Sequence, residues 1–85
     1  MTPNEAHALV KAQNWLPMWV VYEKPSDYPN GYVARMHVEG KGATGFTTAT
    51  IKAETLAEVR KQLPVGLFNL GRDAADDPVI LEVWI

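Results

Sequence analysis

Eighty-five residues, eight basic and ten acidic side chains, a net charge of −2 and no cysteine bound the chain to one small domain without disulfides or thiolate metal sites. Apolar residues make up 47% of it, ordinary for a globular fold, and no apolar run approaches the roughly 20 residues of a membrane span. The opening Met1-Thr2-Pro3-Asn4-Glu5 has neither the basic start nor the apolar stretch of a secretory signal, so the expected location is the cytoplasm, away from membranes.

In chain order, Thr2-Pro3-Asn4-Glu5 forms a capping box with proline at the first helical position. It predicts a helix to about Asn14, with Ala6, Leu9, Val10 and Ala12 on its apolar stripe and most of the docking left to Leu9, Val10 and Trp15. Trp15-Leu16-Pro17 ends it, because proline pushes the preceding residue out of helical geometry. Met18 to Tyr22 reads as a strand covered on both sides. Lys24 to Gly31 holds two prolines and an Asn-Gly pair suited to positive φ. Tyr32 to Val38 alternates Tyr32, Ala34, Met36 and Val38 with Val33, Arg35 and His37. A loop from Gly40 to Gly45 leads to a third strand, Phe46 to Ile51, closing an antiparallel meander.

A second box, Thr55-Leu56-Ala57-Glu58, starts a helix whose stripe is Leu56, Val59 and Leu63, with Arg60 and Lys61 turned to water and Pro64 as its stop. Leu67 to Leu70 reads as a short extra strand. After the acidic turn Asp76-Asp77-Pro78, Val79 to Ile85 reads as a strand that must pair inside a sheet. Hydrophobicity assigns Val79, Leu81, Val83 and Ile85 to the core, and Ile80, Glu82 and Trp84 to the outer face. On that assignment Leu81→Ala disrupts the core, whereas Glu82→Ala is a mild surface change.

Few motifs carry chemistry. Gly40-Lys41-Gly42-Ala43-Thr44-Gly45 has the letters of a dinucleotide fingerprint, but that fingerprint must open a helix, and the β-branched residues after it read as strand. His7 and His37 have no third ligand at metal spacing. Ser26 sits in a proline-flanked turn without the shape of a nucleophile elbow. Asp76 and Asp77 shape a turn more readily than they share a proton. Neither enzyme chemistry, metal nor cofactor is expected.

From Gln62 onward one base, Arg72, stands against Asp73, Asp76, Asp77 and Glu82, a local net of −3. That balance argues against direct nucleic-acid binding, which leaves a basic patch, and suits a basic or nucleic-acid-binding protein as partner. The outer face offers the other candidates: Arg35 and His37, Thr48 and Thr50, and Glu82 and Trp84 are expected to point the same way, with Trp19 or Tyr22 nearby. Such a face can be a protein-binding patch, a platform on which single-stranded RNA stacks, or a surface that the first helix buries.

Met18-Trp19-Val20-Val21-Tyr22, the turn Pro25…Asp27-Tyr28-Pro29, Tyr32-Val33-Ala34-Arg35, Leu63-Pro64…Gly66-Leu67 and Asp76-Asp77-Pro78-Val79-Ile80…Glu82-Val83-Trp84 resemble a group of short bacterial and phage proteins to which no activity is attached. The resemblance runs from Met18 onward, about four fifths of the chain. If the chain is of phage and not bacterial origin, the resemblance implies a protein that inhibits by occupying a host defence nucleoprotein complex, as anti-CRISPR proteins do.

These expectations describe one α+β domain, residues 1–85: a three- to four-stranded, mainly antiparallel sheet with one helix on a face, comprising a core over 18–85 and an N-terminal helical extension over 1–17. Its expected function is non-enzymatic protein binding through Arg35, His37, Asp73, Asp76, Asp77, Glu82 and Trp84. The alternative is a nucleic-acid-associated module using an open sheet face. A homodimer is compatible with either.

Overall fold

The computed structural model describes residues 2–40, 43–71 and 79–85, with backbone alone for 43–48. In chain order it has α1 (Pro3–Ala12), β1 (Leu16–Glu23), β2 (Tyr32–Gly40), β3 (Ala43–Ala53), α2 (Leu56–Gln62) and β4 (Ile80–Trp84). The strands form one antiparallel sheet in the order β3-β2-β1-β4, so the class is α+β as the pattern predicts.

The first capping box closes in both directions, the Thr2 hydroxyl taking the Glu5 amide at 3.2 Å and the Glu5 carboxylate taking the Thr2 amide at 3.1 Å. Asn14, at φ 63°, turns the chain out of α1 in the left-handed conformation that asparagine tolerates. Of the second box the structure has the threonine half, Thr55 accepting from the Glu58 amide at 3.2 Å. Val59 and Leu63 are buried and Leu56 packs beside them, the stripe expected of α2.

Both helices lie on one face of the sheet. The core they share joins Ala6 and Val10 of α1, Val59 and Leu63 at α2, and Trp19, Val21, Ala34, Met36, Val38 and Ile51 from the strands. β1 is therefore covered by helices on one side only, not both. The stripe of α1 also differs from expectation: Leu9 is 51% exposed and Ala12 lies in solvent, while small Ala6 is buried. A methyl at that position lets the helix approach the sheet closely.

The loop between β1 and β2 folds back toward the other face. Pro25 is buried, Asp27 pairs with Arg35, and the Lys52 ammonium lies 5.7 Å from the Tyr28 ring centre. Val33, fully buried but outside the main core, sits between Tyr22 and Lys52 in the register. The expected positive φ at Asn30-Gly31 is not found; Lys24 carries it instead, at 45°. Glycine is required at 31 for room, since a Cβ there would collide with the Tyr28 ring and the Ala53 carbonyl.

β2 and β3 continue into the expected Gly40–Gly45 loop until Gly40 pairs with Ala43. From Ala43 the chain runs on as β3, so the glycine-rich letters lack the helix that a pyrophosphate site needs. Two steps along β2, Arg35 to His37, meet four along β3, Thr50 to Phe46. This bulge interrupts the long outer strand, a common way of blunting an edge. At the opposite side Phe68 and Ile85 exchange backbone hydrogen bonds at 2.7 and 3.0 Å, and the Leu70 amide donates to Val83 at 2.7 Å. The expected extra strand is thus an irregular ribbon along the outer edge of β4. Pro17 is tolerated because β4 pairs with β1 only from Trp19 onward, leaving one neighbour where the N–H is missing.

Met36 is 2% exposed within the core that the helices and sheet share, whereas Phe68 is 77% exposed. Met36→Ala is expected to cost about 2–5 kcal/mol in urea unfolding, and Phe68→Ala no more than about 0.5 kcal/mol. Comparable losses from the two would place the core elsewhere than between helices and sheet.

Candidate functional site

The strand β4 reverses the expected faces. Trp84 pairs with Trp19 and Glu82 with Val21, and both partners are fully buried on the helix side. The register then slips at Leu81, because Tyr22 pairs with Ile80. Glu82 is 4% exposed and Trp84 packs against the core. Leu81 and Val83 are half-buried, and Val79 and Ile85 are exposed. Glu82 and Trp84 are therefore not on the face of Arg35 and His37. Hydrophobicity placed the wrong row inside because the carboxylate has partners.

Those partners come from three segments. Arg60 donates Nε to Oε1 at 2.9 Å and an Nη to Oε2 at 2.6 Å. Asn69 Nδ2 donates to Oε2 at 3.0 Å and the Trp84 indole to Oε1 at 3.0 Å. Arg60 is thus not turned wholly to water as its helix position predicts. Hydrogen bonds from Arg60 hold the Glu82 carboxyl below its ordinary value against the opposing effect of burial, with help from Trp84 and Asn69. A carboxylate with four donors on two oxygens is suited to joining segments, not to taking a proton from a substrate.

Among the described residues, the opposite face carries no helix. Met18 faces His37 and Val20 faces both Arg35 and Val83 in the register. Asn69 bridges to Trp84 on the helix side, so by alternation Phe68 and Leu70 point to the helix-free side. There they extend an aliphatic strip of Met18, Val20 and Val83, with Phe68 77% and Leu70 61% exposed. Beside the strip runs a polar band. Arg35 pairs with Asp27 while its guanidinium lies 5.4 Å from the Tyr22 ring centre, and His37 Nε2 is 2.8 Å from Glu39 Oε1. The structure so brings Arg35 and His37 together, puts Tyr22 and not Trp19 beside them, and adds Met18, Val20, Phe68 and Leu70, which sequence reasoning left out of the site. Strand parity is a usable signal for the first two. Phe68 and Leu70 required knowing that Asn69 faces inward. Asp73, Asp76 and Asp77 lie outside the described residues.

His7 has a structural task. The Trp19 indole donates to His7 Nδ1 at 3.1 Å, and since an indole N–H can only donate, Nδ1 must be unprotonated. Burial, then nearby Lys11, lowers the His7 pKa. A cleft of about 140 Å³ opens beside it, walled by His7 and Lys11 of α1, Leu16 and Pro17 of β1, Val65, Gly66 and Leu67 of the turn after α2, and Ile85. Among the described residues, no three His, Asp or Glu side chains gather as a metal site would require, and no helix is long and apolar enough to cross a membrane.

No family model matches the chain, and neither a curated protein nor a solved structure matches it.

Removing the Glu82 carboxylate leaves the Trp84 indole without its acceptor, while the half-exposed Arg60 can turn to water, so Glu82→Ala is expected to cost about 1–3 kcal/mol, the range for a polar group left without its partner; a loss under about 0.5 kcal/mol, the surface value, would refute the network. The pH dependence separates the two inward-facing groups. The Glu82 pKa is lowered from 4.5 on folding, so its stabilisation is present above about pH 4.5 and is lost as pH falls through the lowered value. The His7 pKa is also lowered, from 6.5, so protonation in the unfolded chain draws stability down as pH falls from about 6.5. His7→Gln, whose amide oxygen can still accept from Trp19, should flatten the urea-midpoint profile between pH 7.5 and 5.5 while keeping the acid limb below pH 4.5. A profile unchanged by the substitution would show that His7 is not linked to folding.

Proposed function

We propose that the protein is a non-enzymatic binding module acting in the cytoplasm, whose helix-free sheet face docks on a protein partner. The observation that carries this reading is the strip of Met18, Val20, Val83, Phe68 and Leu70 lying beside Arg35 and Tyr22. Aliphatic surface flanked by an arginine and tyrosine held in place is the usual composition of a protein-binding patch. Met18, Val20 and Val83 are half-buried, but Phe68 and Leu70 continue the strip at 77% and 61% exposure, and an exposed apolar patch is a surface that partners cover.

Following the resemblance in Met18-Trp19-Val20-Val21-Tyr22 and the closing strand, we assign the partner to a host defence nucleoprotein complex, which the protein inhibits by occupation, as an anti-CRISPR protein does. Asp73, Asp76 and Asp77, tethered between Gly71 and Val79, supply the negative charge that complements a basic partner. The single-stranded RNA alternative asks for rings open to bases. Phe68 offers one such ring, but Trp19 and Trp84 face the helices, and the Tyr22 ring already has the Arg35 guanidinium near it.

The test is capture from a bacterial lysate by the wild type and by Phe68→Asp and Arg35→Glu variants, with Lys61→Glu on exposed α2 as the control. Partners lost with both face variants and kept with the control are expected. A captured set that ignores both face substitutions would remove the face from the interface. Sedimentation of the pure protein gives a second readout, since a dimer broken by Phe68→Asp would make the partner another copy of this chain. Binding of a single-stranded uridine oligomer that weakens with Arg35→Glu would return the face to the nucleic-acid reading.

A further inference from the structure

The pair Asn30-Gly31 closes the loop between β1 and β2 without the positive φ to which it is suited. It ends a β-turn, Tyr28-Pro29-Asn30-Gly31, in which the Gly31 N–H donates to the Tyr28 carbonyl at 3.3 Å. That bond is longer than the roughly 2.7–3.2 Å of a good N–H···O bond. Shorter ones flank it, from the Tyr28 N–H to Pro25 at 2.9 Å and from the Lys24 N–H to the Gly31 carbonyl at 2.8 Å. Asn30 lies in solvent and Gly31 is buried. In an asparagine-glycine pair the backbone nitrogen reaches the side-chain amide with least hindrance, because glycine has no side chain to shield it. Asn4, Asn14 and Asn69 precede Glu5, Trp15 and Leu70, each of which does.

We propose that Asn30 is a site of spontaneous covalent modification, with water as the co-reactant and the opening of this turn as the gate. The Gly31 nitrogen gives its proton to solvent base and attacks Asn30 Cγ. The new N–Cγ bond closes a five-membered succinimide, and Nδ2 leaves as ammonia. Water then opens the ring. Addition at Cγ breaks the new bond and leaves aspartate; addition at the Asn30 carbonyl carbon breaks the original peptide bond and leaves isoaspartate, the main product. While the Gly31 N–H is engaged by Tyr28 its proton is held, so the reaction waits for the turn to open, a local event that surface loops undergo at small cost. The closed loop then rejects the product. Isoaspartate lengthens the main chain by one methylene just before Gly31, where the Tyr28 ring and the Ala53 carbonyl leave no room even for a Cβ. Gly31 is displaced, and the loop that brings Asp27 to Arg35 cannot close as before. The site is independent of what docks on the sheet.

The experiment incubates the pure full chain at pH 8 and 37 °C in water enriched in heavy oxygen and follows each asparagine by peptide mapping and mass spectrometry. Conversion at Asn30, ahead of Asn4, Asn14 and Asn69, is expected, with one heavy oxygen taken up per event. It should run about tenfold or more slower than in the same chain unfolded in urea, the factor being the fraction of time the turn is open. Asn30→Gln, whose longer side chain disfavours the ring, should stay unmodified. Asn30→Asp carries the charge of the product on a main chain of ordinary length, so it separates charge from geometry. The purified isoaspartate form should lose about 4 °C or more of its thermal midpoint and the native amide shifts of Tyr28 and Arg35, whereas Asn30→Asp keeps both. An Asn30 that stays intact in the folded chain long after the unfolded chain has converted would overturn the proposal. So would equal rates in the two states, which would leave the turn no gating role. An isoaspartate form as stable as Asn30→Asp would also overturn it, since the loop would then absorb the longer chain.

Discussion

A carboxylate buried to 4% exposure needs donors on nearly every lone pair, or it costs several kcal/mol. Glu82 obtains four, from α2, from the ribbon after it and from its own strand. Much of the local geometry is a consequence. Arg60 must stand at the inner edge of α2, which fixes the rotation of that helix over the sheet. Asn69 must face inward, which aligns the ribbon from Phe68 to Gly71 with β4 and turns Phe68 and Leu70 to the other side. Trp84 must lie with its ring along the core and its N–H toward Oε1. One charged group so decides which apolar residues are covered and which are left in solvent.

That dependence explains what could be read in the sequence. The caps of both helices, the breaks before Pro17 and at Pro64, and the inward row Ala34, Met36 and Val38 are local or strictly periodic, and all were legible. β4 was not. Its two rows are nearly equal in apolar content, so the choice between them rested on Glu82, and a lone glutamate reads as solvent-facing. Nothing in the spacing announces that Arg60, 22 residues earlier, will reach it. The slip at Leu81 compounds the problem, because strict alternation fails where an extra residue is inserted. In α1 the larger Leu9 was favoured over Ala6, though the close approach of helix to sheet rewards the smaller residue. The candidate site was accordingly half legible: Arg35 and His37 share a face by parity, while Glu82 and Trp84 lie on the other.

The two faces divide the work of the molecule. The helix side is saturated, with Glu82 closed by hydrogen bonds and Trp19 held by His7. The other side has its polar groups paired along one band, Arg35 with Asp27 and His37 with Glu39, and its aliphatic residues in an adjacent strip. Were a partner to dock as proposed, pairing the charges within the chain would lower the desolvation it must overcome there, and holding Arg35 between Asp27 and Tyr22 would reduce the side-chain entropy lost.

The distance in sequence between β1 and β4 has a kinetic meaning. β1 to β2 and β2 to β3 are neighbours along the chain, and their pairing closes short loops. Trp19 meets Trp84 only after most of the chain has been gathered, a closure whose entropy must be met before its contacts return anything. The meander can therefore assemble ahead of the last strand, with the Trp19 side chain waiting for the partner that completes its burial. Run backwards, the least costly partial opening lifts β4 and the ribbon from Phe68 to Gly71 away together, breaking the Glu82 network and leaving the three-stranded meander. Because Val83, Phe68 and Leu70 belong to the part that lifts, a partner covering them as proposed would also act as a clasp on this seam of the sheet.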